Sequence, residues 1–267
     1  MTKLKNYLCG FFLILIVIFG QSCKSQSQDY LVKQPVKTNF IQLSQNLLYA
    51  SRTGDTTSTY QDTLKNADEG TLLAQLTGDN QRKAFWLNIY NAYTQILLGP
   101  HPGKYASRNS FFGDHQIPIA GKNLSLDEIE NGILRHSKIK WGLGYINKLF
   151  PSRFEKEFRV DTLDYRIHFA LNCGAKSCPP IAFYEPGRID QQLDLATLNY
   201  LTNEVSYDSL SGILKLPATM SWFRGDFGGH KKVIALVKKL GLLPQNASPR
   251  IRYKKYNWTL FLHNFKK

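Results

Sequence analysis

Thiols are scarce in this chain. It has four cysteines in 267 residues, and Cys9 and Cys23 lie in or beside an N-terminal apolar run. A dense disulfide framework of the kind that staples small secreted domains is therefore excluded. Acidic residues are also few, with 20 Asp and Glu against 34 Lys and Arg, a formal net charge of +14. The chain has no Gly-rich phosphate loop, no G-x-S-x-G elbow and no H-E-x-x-H helix. That removes the sequence signatures of P-loop nucleotide hydrolysis, serine-esterase chemistry and zinc-protease chemistry. Internal repeats, low-complexity blocks and nucleic-acid-binding motifs are missing too. With nucleic acid set aside, the positive charge points to anionic envelope polymers or lipid as partners, or simply to a basic surface.

What is present begins at the N-terminus. Lys3 and Lys5 precede an apolar run from Phe11 to Phe19, followed by Gly20-Gln21-Ser22 and Cys23. The run is short for a membrane span and reads as a secretory signal. A cysteine at this place resembles a bacterial lipoprotein signal. The expectation is a signal peptide over 1–22, lipidation at Cys23 with the membrane as partner, and a tether over 23–38. Ordinary secretion with nearby cleavage is the alternative. Removing Lys3 and Lys5 would leave a charge of +12 (14 minus 2). Residues 39–267 are enough for one domain with a full core.

Along that domain, the pattern predicts helices over 40–49, 71–76, 80–98, 125–136, 189–201 and 230–240, with Gly241 as a C-cap. The segment 80–98 is the clearest, with apolar residues at helical spacing and Asn88, Asn91 and Gln95 interleaved. Asp79 is its expected N-cap, and Ser125 to Glu128 reads as a capping box. A strand is expected over 165–171 and a hairpin over 205–216 turning at Ser211-Gly212. The fold class is α+β: one domain with a helical N-terminal part on a small sheet, of which a papain-like or transglutaminase-like arrangement is one form.

The chemistry concentrates in Tyr165 to Pro180, YRIHFALNCGAKSCPP. His168, Asn172, Cys173 and Cys178 fall within eleven residues. A thiol becomes a nucleophile when a base or a favourable dipole lowers its pKa. Cys173, at a turn beside Gly174, is the candidate nucleophile, and His168 or His136 the candidate base. Asn172 and Asn91 are candidate orienters, Asn88 a further polar contact, and Cys178 a structural neighbour or resolving partner. Other readings of the same residues stay open. The two cysteines form a disulfide, His168 is a hydrogen-bonded core residue, and the asparagines satisfy buried carbonyls. A metal site from His136, His168, Cys173 and Cys178 has suitable ligand types but unusual spacing, and no metal or other cofactor is expected.

Five strings taken together resemble one family. They are KAFWLNIYNAYT (83–94), ILRHS (133–137), RIHFALNCGAKSCPPI (166–181), SWFRGDF (221–227) and YKKYNWTL (253–260). Their order and spacing are similar to the domain-of-unknown-function family 547, over most of residues 70 to 262. The resemblance implies no defined activity. Some members of that family are joined to glutaredoxin-like domains, which favours redox chemistry as one reading. Three functions follow as expectations: a thiol-dependent hydrolase or acyltransferase, a non-catalytic envelope binding domain, and a thiol-disulfide redox protein.

Overall fold

A computed structural model describes residues 38–266. The leader, Cys23 and nearly all of the tether lie outside the described residues. No helix among the described residues is long and apolar enough to cross a membrane.

The N-terminal part is helical. It contains α1 (Phe40–Thr53), α2 (Ser58–Lys65), α3 (Glu69–Leu73), α4 (Asp79–Leu98) and, after a 3-10 turn, α5 (Arg108–Gly113). A two-stranded antiparallel ribbon follows, β1 (Ile117–Ile119) with β2 (Lys122–Leu124). Next come a π-helical turn (Glu128–Leu134), α6 (Arg153–Phe158), a 3-10 turn (Tyr165–Phe169) and α7 (Ile189–Glu204). The second sheet has β3 (Ser206–Asp208), β4 (Ile213–Leu216) and β5 (Arg250–Tyr253), with α8 (Thr219–Trp222) and α9 (Gly229–Lys239) between its last two strands. β3 and β4 form the expected hairpin, and β5 joins β4 in parallel. This is an α+β domain.

The architecture is organised around α4. Its side chains from Lys83 to Gln95 are buried without interruption, including Phe85, Trp86 and Ile89. A helix buried on all sides needs cover from several directions. Here the cover comes from α1, α7, the π-helical turn and two 3-10 turns, Pro102–Ser107 and Pro186–Arg188. A second apolar cluster joins Phe169 to Tyr200, Leu214, Leu216, Met220, Phe227, Val233 and Val237.

The segment expected as a strand over 165–171 is instead a 3-10 turn. Asp164 caps it, accepting from the Arg166 backbone N–H (3.1 Å). A short run that is apolar throughout fits a buried strand or a buried turn equally well by periodicity. Packing chose the turn. Ile167 and Ala170 enter the cluster around α4 while Phe169, between them, enters the second cluster. The α4 N-cap position is also one residue earlier than expected, at Gly78. The Asp79 carboxylate instead accepts from the backbone N–H groups of Asp161 (2.6 Å) and Thr162 (3.0 Å). The capping box forms in both directions, Ser125 N–H to Glu128 (2.9 Å) and Glu128 N–H to Ser125 Oγ (3.1 Å). The helix it opens is wound with five-residue spacing, Arg135 N–H donating to Glu130 O (2.9 Å). Such π turns re-aim side chains and recur at functional sites.

Candidate thiol cleft

The 3-10 turn ends at a loop that α4 holds by its amides. Asn91 donates to Ala170 O (3.0 Å) and accepts from Asn172 N–H (2.8 Å). Asn172 donates to Pro179 O (2.8 Å) and accepts from Gly174 N–H (2.9 Å). One turn earlier on α4, Asn88 donates to Tyr184 O (3.0 Å) and accepts from Tyr184 N–H (2.9 Å). The C-terminal segment straps the loop from outside, Phe261 N–H reaching Gly174 O (2.7 Å) and Lys176 N–H reaching Thr259 O (2.8 Å). Gly174 has φ +84°, and a Cβ there would meet Leu98 at 3.1 Å and Leu260 at 3.3 Å. The turn that presents Cys173 therefore needs glycine next to it.

Cys173 and Cys178 are both free thiols. Cys173 is partly exposed and Cys178 is buried. The Cys173 backbone N–H donates to Cys178 Sγ (3.1 Å), and Tyr256 Oη lies 3.3 Å from one sulfur and 3.2 Å from the other. Their acidities are split. A hydrogen bond from Cys178 holds the Cys173 thiol below its ordinary value, helped by Tyr256 and the Ala175 backbone N–H against the cost of burial. Burial, then the Cys173 sulfur itself, pushes Cys178 well above. Burial also keeps the Tyr256 phenol protonated, so its O–H remains a donor to the sulfurs.

Cys173 opens onto a cavity of about 490 Å³. Its walls include the aromatic side chains of Tyr90, Phe112, Trp222, Phe223, Tyr256 and Trp258. The Trp222 and Trp258 rings stack, 5.6 Å between centroids and 15° between planes. His168 lines the same cavity and stacks on Phe223 at 3.9 Å. Its Nε2 lies 2.8 Å from Asp226 Oδ2, and Asp226 is also gripped by Arg135 Nε (2.6 Å) and Nη2 (3.2 Å). All three side chains are almost fully buried. Burial lowers the His168 pKa despite the carboxylate, and the hydrogen bonds of His168 and Arg135 lower that of Asp226 despite burial. The neutral imidazole facing an ionised carboxylate must carry its proton on Nε2. Nδ1 is then an acceptor, and it has no hydrogen-bond partner among the described residues.

Glu130 also lines the cavity, on the π-helical turn. It accepts from Tyr90 Oη (3.2 Å). Burial pushes its carboxyl up to about 6, partly offset by Arg135.

The structure thus brings together Cys173, Cys178 and His168, with Asn91 and Asn172 directly behind the loop. The Asn91 and Asn172 amides are committed to backbone at both ends, so they hold the turn and not an imidazole. Asn88 does the same for Tyr184, away from the thiols. His136 is a correction. Its Nδ1 is bound to Val160 O (2.7 Å), its backbone is left-handed (φ +51°), and it is not among the cavity-lining residues. Neither imidazole is a hydrogen-bond partner of Cys173 among the described residues. No group of three or more His, Cys, Asp or Glu among them is placed to hold a metal.

Sequence reasoning missed Arg135, Asp226, Glu130, Trp222 and Tyr256. A signal existed for four of them. Arg135 lies in the ILRHS string, Trp222 and Asp226 in SWFRGDF, and Tyr256 in YKKYNWTL, each of which was used only for resemblance. Glu130 carried no signal beyond the capping box upstream. All five strings place a residue on this cleft or directly behind it. Residues 73–201 match the family model described as Protein of unknown function, DUF547, a narrower span than the strings suggest. No curated protein and no solved structure matches the chain. By that match, residues 73–201 are a DUF547 domain, a domain of unknown function.

Proposed function

We propose that this domain is a thiol-dependent acyl-transfer enzyme, a hydrolase or acyltransferase, with Cys173 as nucleophile, His168 as base and Asp226 as the group that orients the imidazole. One observation carries the reading. A partly exposed thiol with lowered pKa and a buried imidazole–carboxylate pair line the same apolar cavity. Thiol, imidazole and carboxylate are the parts that acyl transfer needs. The Cys173 thiolate attacks a carbonyl carbon and a C–S bond forms. The bond to the leaving oxygen or nitrogen breaks, and the leaving group takes a proton. Water or an acceptor hydroxyl or amine, deprotonated by His168, then cleaves the thioester and expels the Cys173 thiolate, and the proton held by His168 returns to the acid that protonated the leaving group. Glu130, protonated below about pH 6, is suited to donate the leaving-group proton. The membrane anchor at Cys23 and an envelope location belong to the same proposal and rest on the sequence pattern alone.

The split acidity of the thiols favours a second reading, disulfide exchange. An accessible low-pKa thiolate attacks an external disulfide, and a buried partner then displaces the mixed disulfide, leaving a Cys173–Cys178 bond and two released thiols. One experiment separates the readings. The reduced full-length protein is incubated with 4-nitrophenyl butyrate and the adduct is located by mass spectrometry. A burst of nitrophenolate with a butyryl group on Cys173, abolished in Cys173→Ser and retained in Cys178→Ser, is expected. If no adduct forms on Cys173, while a glutathione redox buffer reversibly interconverts the dithiol and its disulfide, the exchange reading replaces acyl transfer.

A further inference from the structure

Residues 139–151 contain a group of large apolar side chains that face solvent. Trp141 is 74% exposed, Leu149 84% and Phe150 92%, and Leu143, Tyr145 and Ile146 are each about half exposed. Exposed apolar side chains are ordinary when scattered, but a contiguous group marks a contact surface. The backbone beneath is tied down. Ile139 N–H donates to Ile146 O (2.9 Å), Lys148 N–H to Ser137 O (2.7 Å) and Gly225 N–H to Leu143 O (2.7 Å). Gly144 and Gly225 press together so closely that a Cβ on Gly225 would sit 2.4 Å from the Gly144 carbonyl carbon. The rings point outward because the main chain is anchored inward.

Within the segment itself the charged side chains have one sign. From His136 to Phe154 the chain carries Lys138, Lys140, Lys148 and Arg153 and no Asp or Glu. Lys140 and Lys148 are paired at the base of the loop with Asp127 (2.6 Å) and Glu155 (2.9 Å), and Arg153 with Glu69 and Glu157 (both 2.9 Å), so Lys138 is the one of the four that forms no ion pair among the described residues. Trp, Tyr and Phe beside Leu, Ile and Lys are the side chains that settle at the boundary between headgroups and acyl chains. Basic residues add attraction to anionic lipid, and the whole chain is at +14. Trp141 and Leu143 also line the cavity that holds Cys173.

We propose that residues 141–150 are an interfacial docking surface that inserts its apolar side chains into the headgroup region of an anionic lipid bilayer. The proposal stands whether or not Cys173 is catalytic. The full-length chain is mixed with vesicles of phosphatidylglycerol and phosphatidylcholine, or of phosphatidylcholine alone, containing brominated acyl chains. Tryptophan emission is compared between wild type and Trp141→Phe, so that their difference reports Trp141 whatever the N-terminal segment does. Quenching of the Trp141 component in the anionic vesicles, weakened by high salt, is expected. The Leu149→Asp/Phe150→Asp double variant should need about tenfold or more lipid for the same quenching, since two buried apolar side chains are lost. An unquenched Trp141 in vesicles that carry the protein overturns the proposal. So does sedimentation velocity showing a wild-type dimer that the double variant dissociates, which would assign the surface to a second copy of the chain.

Discussion

Helix α4 puts amides where apolar side chains belong, and residues 139–151 put rings and leucines where polar ones belong. Asn88 and Asn91 are fully buried, yet each donates and accepts with loop backbone, so neither of these two carboxamides lacks partners. The 139–151 segment satisfies its backbone inside and leaves its large side chains without cover. The first arrangement fixes a loop in one geometry, because only that geometry pairs the buried amides. The second leaves area free for something that is not this chain. Polar groups inside are tolerable only when bonded, and apolar groups outside weaken the fold hardly at all, so mutation should affect the two regions very differently.

The largest effect is expected at α4. Asn91→Leu removes both partners of the loop, leaving Ala170 O and Asn172 N–H buried and unbonded. Each such group costs about 1–3 kcal/mol, so the variant should lose about 2–6 kcal/mol in denaturant melts of the reduced protein. Cys173 should also alkylate with less pH discrimination from Cys178, because the turn presenting it is no longer held. A loss below about 1 kcal/mol would mean that water reaches these groups and that the clamp is dispensable.

That clamp was half legible in the sequence. Interleaved asparagines on an apolar, aromatic helix demand partners, and the nearby NCG turn is where the partners are. The helix itself was legible from its periodicity, as were the β3–β4 hairpin from its Ser-Gly turn and the capping box from Ser125 and Glu128. The 165–169 turn was not, because its fate depends on two separate clusters drawing alternate residues apart. The Arg135–Asp226–His168 group was not either. Its members are up to 91 residues apart, and nothing local to Asp226 in SWFRGDF says which imidazole it meets. The solvent-facing rings were invisible for a related reason, since WGLGYINKLF reads as ordinary core until its cover is found to be missing.

A smaller effect, with a pH signature, is expected at Glu130, a buried acid that unlike the asparagines is not matched to its surroundings. Its folded pKa of about 6 lies above the 4.5 of an ordinary glutamate. A raised carboxyl contributes stability below the unfolded value and loses it as pH rises through the folded value. At pH 8 the ionised group should therefore cost roughly 1–2 kcal/mol, and Glu130→Gln should be more stable than wild type by about that amount. The difference should shrink toward zero below about pH 4. His168 works in the opposite direction, its lowered pKa removing stability as pH falls below the ordinary imidazole value, but it is common to both proteins and cancels. A stability difference that is flat from pH 4 to pH 8 would show that Glu130 titrates normally.

The smallest effect is expected on the outer surface. Leu149 and Phe150 are 84% and 92% exposed, so Leu149→Ser and Phe150→Ser should each change stability by no more than about 0.5 kcal/mol. The denaturant midpoint and its slope should both stay at the wild-type values, because no area buried on folding is altered. The same variants should raise the solubility limit, since the exposed apolar area falls. A loss above about 1 kcal/mol would mean that these side chains fold onto the domain in solution. The contrast with Asn91, where a change of similar size inside the helix removes several times more stability, would then disappear.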